Sequence, residues 1–193
     1  MHRGRRLALA ACTALAMAGC ATAPRTPAPV SEVRLDTTFH VEGRLSARRG
    51  NEAVAVHFDW RHAPDHDSFD VATPLGQIVA RMVRDASGVR VERPRESPTA
   101  YVSWSALTEA VLGVGIPVAG LVAWVQGAPS AVADADIERD VAGRASVLRE
   151  QGWEIVYAYV DGAATRPVRL VMRYPGVEPI EVRIVVDRWS TPS

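Results

Sequence analysis

Beyond about residue 37 the apolar positions recur with a period of two, the spacing of a half-buried strand. Val54, Val56, Phe58 and Trp60 fall on one face and Ala55, His57, Asp59 and Arg61 on the other, so one side meets a core and the other meets water. The same alternation, punctuated by turn residues, predicts strands over 69–73, 77–84 and 89–92, with turns at Thr73-Pro74-Leu75-Gly76 and Ala86-Ser87-Gly88. Three more follow at 153–160, 168–174 and 180–189, separated at Asp161-Gly162 and Pro175-Gly176. The pattern predicts an antiparallel meander.

Between the two strand groups the texture changes to short helices over 105–113 and 117–127. Leu107 and Val111 lie one turn apart, as do Val118 with Val122 and Leu121 with Val125. Pro117 suits a first helical turn and Gly127 a stop. The uncharged stretch 110–125, interrupted by Gly113, Gly115 and Pro117, is shorter than the roughly 20 residues of a membrane span. Its apolarity on nearly every side predicts helices that are buried or that cover an apolar cavity, since a surface helix keeps a polar half. Residues 134–150 are polar and read as a loop with one helical turn.

The N-terminus follows a different logic. Arg3, Arg5 and Arg6 precede an uncharged run over 7–18 and then Gly19 and Cys20, the layout of a secretory signal peptide. Met17-Ala18-Gly19-Cys20 looks like a lipobox, whose thiolate receives a diacylglycerol. Leu9-Ala10-Ala11-Cys12 has the same pattern but lies too close to Arg6 for an apolar core of the signal. A plain cleaved signal with a chance cysteine is the other reading. The expected organisation is a signal peptide over 1–19, an acylated Cys20 with a tether over 20–36, and one domain over 37–193. Pro24, Pro27 and Pro29 make the tether extended. Ala21, rather than aspartate, follows the cysteine and points to the outer membrane, periplasmic leaflet.

Composition narrows the function. The chain has 193 residues, 48% apolar and 23% charged, enough for one packed domain. Cys12 departs with the signal, so the mature chain forms no disulfide and rests on its core. Twenty-two basic residues balance twenty-two acidic ones, which argues against a nucleic-acid partner. Every basic residue is arginine, which removes lysine from any catalytic scheme.

Candidate chemistry is sparse. His57, Asp59, His62, Asp65, His66 and Asp67 are the densest set of possible metal ligands, and a solvated strand end accounts for them equally. No HExxH, paired CxxC or GxSxG accompanies them, so no catalytic residue and no metal site is assigned. Trp60, Trp104, Trp124, Trp153 and Trp189 all sit in apolar segments and fit either an ordinary core or a lined cavity. Leu75 occupies a turn apex where a polar residue is usual. It either protrudes, forgoing about 1.5 to 3 kcal/mol of burial, or folds back onto the sheet.

The motifs have a familiar order. A lipobox cysteine, Gly43-Arg44-Leu45-Ser46, Phe58-Asp59-Trp60, Thr73-Pro74-Leu75-Gly76, Ile116-Pro117-Val118 with Leu121, Trp124, Gly127 and Pro129, then Gly152-Trp153 to Tyr157 and a closing Val182 to Trp189 together resemble the LolB family. The resemblance implies a mainly β fold with α, an incomplete antiparallel β-barrel with a short helical lid over an apolar cavity. It implies a non-enzymatic receptor that takes acylated lipoproteins from the periplasmic carrier LolA and inserts them into outer-membrane lipid without ATP. By the same resemblance, Cys20 carries the lipid and Pro74, Leu75 and Gly76 form the delivery loop. Phe58, Trp60, Leu121, Trp124, Trp153 and Tyr157 are the candidates for the acyl cavity. No cofactor other than the Cys20 lipid is expected, and a monomer is the default. A lipid-anchored metal-dependent hydrolase and a purely structural outer-membrane lipoprotein are the alternatives.

Overall fold

The computed structural model describes residues 34–130, 134–160 and 165–192; Cys20, most of the tether and the Asp161-Gly162 turn lie outside the described residues. Six strands come first: β1 (Phe39–Arg49), β2 (Glu52–Ala63), β3 (His66–Ala72), β4 (Ile78–Asp85), β5 (Gly88–Glu92) and β6 (Thr99–Tyr101). Two helices, α1 (Trp104–Leu112) and α2 (Val118–Trp124), interrupt the sheet. It resumes with β7 (Ala135–Arg139), β8 (Ala145–Glu150), β9 (Trp153–Ala158), β10 (Arg169–Tyr174) and β11 (Ile180–Ser190).

The strands form one antiparallel sheet in the order β6-β5-β4-β3-β2-β1-β11-β10-β9-β8-β7. Each half is a meander, and the last strand returns to pair with the first along most of its length. The edges β6 and β7 do not pair, so the sheet stays open. This is an incomplete antiparallel barrel with helices in the link between its two edges.

Alternation decides which face is dry. Phe39, Val41, Leu45 and Ala47 of β1 are buried, as are Val56, Phe58 and Trp60 of β2 and Trp153, Ile155 and Tyr157 of β9. A bulge opposite Glu42 and Gly43 leaves Asp187 of β11 unpaired, and one extra residue flips the facing of all that follow. Val182 and Ile184 before the bulge and Trp189 after it therefore share one face, and the Trp189 ring lies 4.6 Å from that of Phe39. Gly43 sits at the bulge because nothing larger fits. A Cβ there would meet the Val185 carbonyl at 2.1 Å and the Phe58 ring at 3.0 Å.

The helices form where the sequence places them, with a shorter second one. Ser103 Oγ accepts from the Ala106 N–H at 3.1 Å to start α1, and Gly113 ends it at φ 74°. α2 starts at Pro117 with no side-chain cap and stops at Trp124, since Gly127 (φ 77°) belongs to the turn beyond. α1 packs on β4, β5 and β6, and both helices join the dry face of the sheet in one apolar cluster.

Residues 134–150 are a correction: they form the β7–β8 hairpin, not a loop with a helical turn. Asp140 builds its turn, accepting from the N–H of Ala142 at 2.9 Å and of Arg144 at 3.0 Å. Outward charges mask the strand pattern, because Arg149 pairs across with Asp136 and Glu138, as suits an edge. β1 and β6 also lack strong apolar alternation in the sequence. Gly43 and Ala47 give β1 too little apolar surface to read.

Candidate functional site

The inner face of the sheet is aromatic and closed. Phe58 stacks on Phe69 at 5.2 Å and Trp60 meets Phe39 edge-on at 5.0 Å. On the other half, Trp124 of α2 lies 6.2 Å from Trp153, which lies 5.3 Å from Tyr174. Phe58, Trp60, Leu121, Trp124, Trp153 and Tyr157 are all buried in the same cluster. Together they make a continuous apolar lining between the sheet and the helices.

Two buried carboxylates hold the tryptophans. Asp67 Oδ1 accepts from Trp60 Nε1 at 2.9 Å and lies 2.7 Å from His62 Nδ1, and its Oδ2 accepts from Arg84 at 2.6 Å. Burial raises the Asp67 carboxyl, but the bonds from His62, Trp60 and Arg84 outweigh it and hold the group below its ordinary range. Glu150, also buried, accepts from Trp124 Nε1 at 2.6 Å and from the Ser130 N–H at 3.0 Å and Oγ at 2.6 Å.

α2 is held chiefly by apolar packing, with Leu121 and Trp124 buried in the core cluster. Nearly all its residues are apolar, and it is seven residues long, too short to be stable alone. Beyond packing, its side-chain ties are the Trp124–Glu150 bond and, just after it, Gln126. That amide donates to the Asp36 carbonyl at 3.2 Å and accepts from the Asp36 N–H at 2.8 Å, fastening the helix exit to the segment before β1. The Tyr157 hydroxyl is buried with no hydrogen-bond partner among the described residues. Burial, followed by Tyr159 and Glu150, pushes its acidity far out of the physiological range.

The β3–β4 hairpin is the opposite case, apolar and wet. Gly76 N–H donates to the Thr73 carbonyl at 2.8 Å, and Gly76 takes φ 84°, which closes the turn over Pro74 and Leu75. Leu75 is 97% exposed. Val102, Val141 and Val177 are as exposed on other loops, but the Leu75 hairpin adds Ile78 at 44% and Val79 at 39%. Its tip is an apolar point.

The candidate metal ligands are dispersed. His62 and Asp67 face the core and bond to each other, whereas His57, Asp59, Asp65 and His66 lie on the wet side or in the turn. A different trio, His40, Glu42 and Asp59, has ligand atoms within 4.8 Å of one another. It is already neutralised, since Arg188 bonds Glu42 at 2.7 Å and Arg61 pairs with Asp59 at 2.8 Å.

A family model, described as outer membrane lipoprotein LolB, matches residues 37–189. The chain belongs to the LolB family. Outer-membrane lipoprotein LolB of Thiobacillus denitrificans is 35% identical over 97% of this chain and 98% of its own length. That of Chromobacterium violaceum is 33% identical over 92% and 94%, and that of Azoarcus sp. 32% over 98% and 98%. Among solved structures, a LolA superfamily protein from Nitrosomonas europaea superposes with a TM-score of 0.53 at 10% identity, covering 83% of this chain and 89% of that one. That likeness shows the fold.

LolB is a family of outer-membrane lipoprotein-trafficking receptors, not of enzymes, which sets the hydrolase alternative aside. No helix among the described residues is long and apolar enough to cross a membrane. In this LolB-family chain the sequence missed the buried polar clamps. Asp67 reads as one more candidate ligand at a solvated strand end, Glu150 as the end of a polar loop, and Gln126 is not singled out. Each lies near a tryptophan or an apolar helix whose polar atoms need a partner, and that need was the available signal.

Proposed function

We propose that this chain, anchored through an acylated Cys20, accepts lipoproteins from the periplasmic carrier LolA and delivers their acyl chains to outer-membrane lipid. The observation that carries the proposal is the aromatic inner face covered by α2, a short helix whose polar tie to the sheet is the Trp124–Glu150 bond. Displacing α2 would open an apolar lining of Leu121, Trp124, Trp153 and Tyr157 with no need for unfolding of the sheet.

The energetics require a direct handover. At about 0.8 kcal/mol per methylene, an acyl chain of about fourteen methylenes costs roughly 11 kcal/mol to expose to water. Passage between two apolar interiors avoids that exposure and needs only a small difference between donor and acceptor, with no nucleotide. The apolar Leu75 tip then brings the loaded protein to the bilayer.

The test mixes LolA loaded with lipoprotein and the mature chain carrying Cys20→Ala, without ATP, and follows cargo by pull-down. Transfer of cargo supports the proposal; retention on LolA, with the recipient shown to be folded, contradicts it. The burial of the whole aromatic set in one cluster favours a second reading, a purely structural lipoprotein, which predicts no transfer and no uptake of an apolar fluorescent probe.

A further inference from the structure

A row of residues crosses the outer face of the sheet from the foot of the Leu75 hairpin. Pairing sets Ala72 of β3 beside His57 of β2, His57 beside Arg44 of β1, Arg44 beside Val185 of β11, and Val185 beside Arg169 of β10. At about 4.8 Å per strand the row covers about 19 Å. The neighbouring row sets Arg183 beside Ser46 and Ser46 beside Ala55. A groove of about 420 Å³ follows these rows, lined by Pro74 of the hairpin, by Ser46 and Ala55, and by Arg44, Arg169 and Arg183.

Its charge is not balanced. Arg44 bonds Asp187 at 2.8 and 3.1 Å, and Arg183 bonds Glu181 at 2.8 Å. The Arg169 side chain is exposed and, among the described residues, has no hydrogen bond or ion pair. A free guanidinium presents a planar fork of donors that matches phosphate oxygens. The small side chains of Ser46 and Ala55 leave room for a headgroup between it and Pro74. One residue further along, Leu75 supplies the apolar point of the same hairpin.

We infer that this groove binds the phosphate of an anionic phospholipid while the Leu75 tip enters the apolar layer beneath. The hairpin and the groove thus form one membrane-docking surface, apolar at its point and basic at its shoulder. The inference rests on reading Leu75 as the membrane-facing point. Anionic lipid attracts each basic residue near the surface enough to change binding about fivefold.

The experiment sediments the mature chain carrying Cys20→Ala with vesicles of phosphatidylcholine, alone or with phosphatidylglycerol, at low and high salt. The protein is expected to favour the anionic vesicles. Arg169→Gln is expected to lower that binding about fivefold, and high salt to remove the difference. Arg61→Gln, an exposed arginine at the far end of β2 on the same face, is expected to bind like the parent. Equal binding to both vesicle types, an unchanged Arg169→Gln, or an equal loss in Arg61→Gln would overturn the groove. Indifference of every vesicle to Leu75→Glu would instead overturn the hairpin reading beneath it, so the two failures are distinguishable.

Discussion

The indole N–H of Trp124 donates to a carboxylate oxygen of Glu150 over 2.6 Å, inside the apolar space between α2 and β8. The bond joins the element with the weakest intrinsic stability to the sheet that carries the fold. A charge-assisted bond of this kind contributes about 1.5 to 3 kcal/mol. It adds to the apolar packing of the buried Leu121 and Trp124.

Glu150→Ala removes the acceptor for Trp124 Nε1 and for Ser130. Three donors, the indole N–H and the Ser130 N–H and hydroxyl, lose this acceptor, and the cost is about 3 kcal/mol in unfolding free energy. Urea unfolding at neutral pH checks the loss, and tryptophan fluorescence is expected to shift toward the red as α2 loosens.

Leu75→Glu is expected to leave folding intact, because a side chain 97% exposed contributes almost no core. The denaturation midpoint should match the parent to within about 0.5 kcal/mol. Delivery of cargo from the chain to liposomes should fall sharply, while acceptance of cargo from LolA persists. Normal delivery by this variant would remove the loop from the mechanism.

Acid should destabilise the fold through Asp67. Its carboxyl lies below the ordinary range in the fold, so its contribution is complete above the unfolded value near pH 4 and is lost as pH falls through the lowered one. Unfolding free energy measured from about pH 5 downward should therefore decline. Asp67→Asn should be weaker at neutral pH by about 3 kcal/mol and show a flatter acid limb.

Tyr157→Phe should stabilise the protein. The hydroxyl is buried with no partner among the described residues, and removing an unsatisfied buried group recovers about 1 kcal/mol or more. A rise in the urea midpoint checks this; a fall would mean that the hydroxyl finds a partner in solution.

Much of this was legible from period and turn chemistry. Val54, Val56, Phe58 and Trp60 set the facing of β2, and the Thr73-Pro74-Leu75-Gly76 turn placed a leucine at its apex without deciding whether it protrudes, because both signals are local. The return of β11 to β1 was not legible, since nothing in either strand names a partner some 140 residues away. The β7–β8 hairpin hid behind its charges: Asp136, Glu138 and Arg149 are polar because the strands lie at an edge, a fact of topology. At the candidate site the aromatic residues were visible as types. Their clamps were not, because Asp67 and Glu150 differ from surface carboxylates only in being buried.

The most direct measurement concerns where the acyl chains go. Lipoprotein cargo bearing a photoreactive fatty acid is transferred from LolA to the mature chain carrying Cys20→Ala, illuminated, and the attachment sites are mapped by mass spectrometry. Attachment to Leu121, Trp124, Trp153 or Tyr157, reduced in a variant whose α2 is cross-linked to β9, is the predicted result. Attachment confined to the outer face of the sheet, or equal attachment when α2 cannot move, would contradict the account.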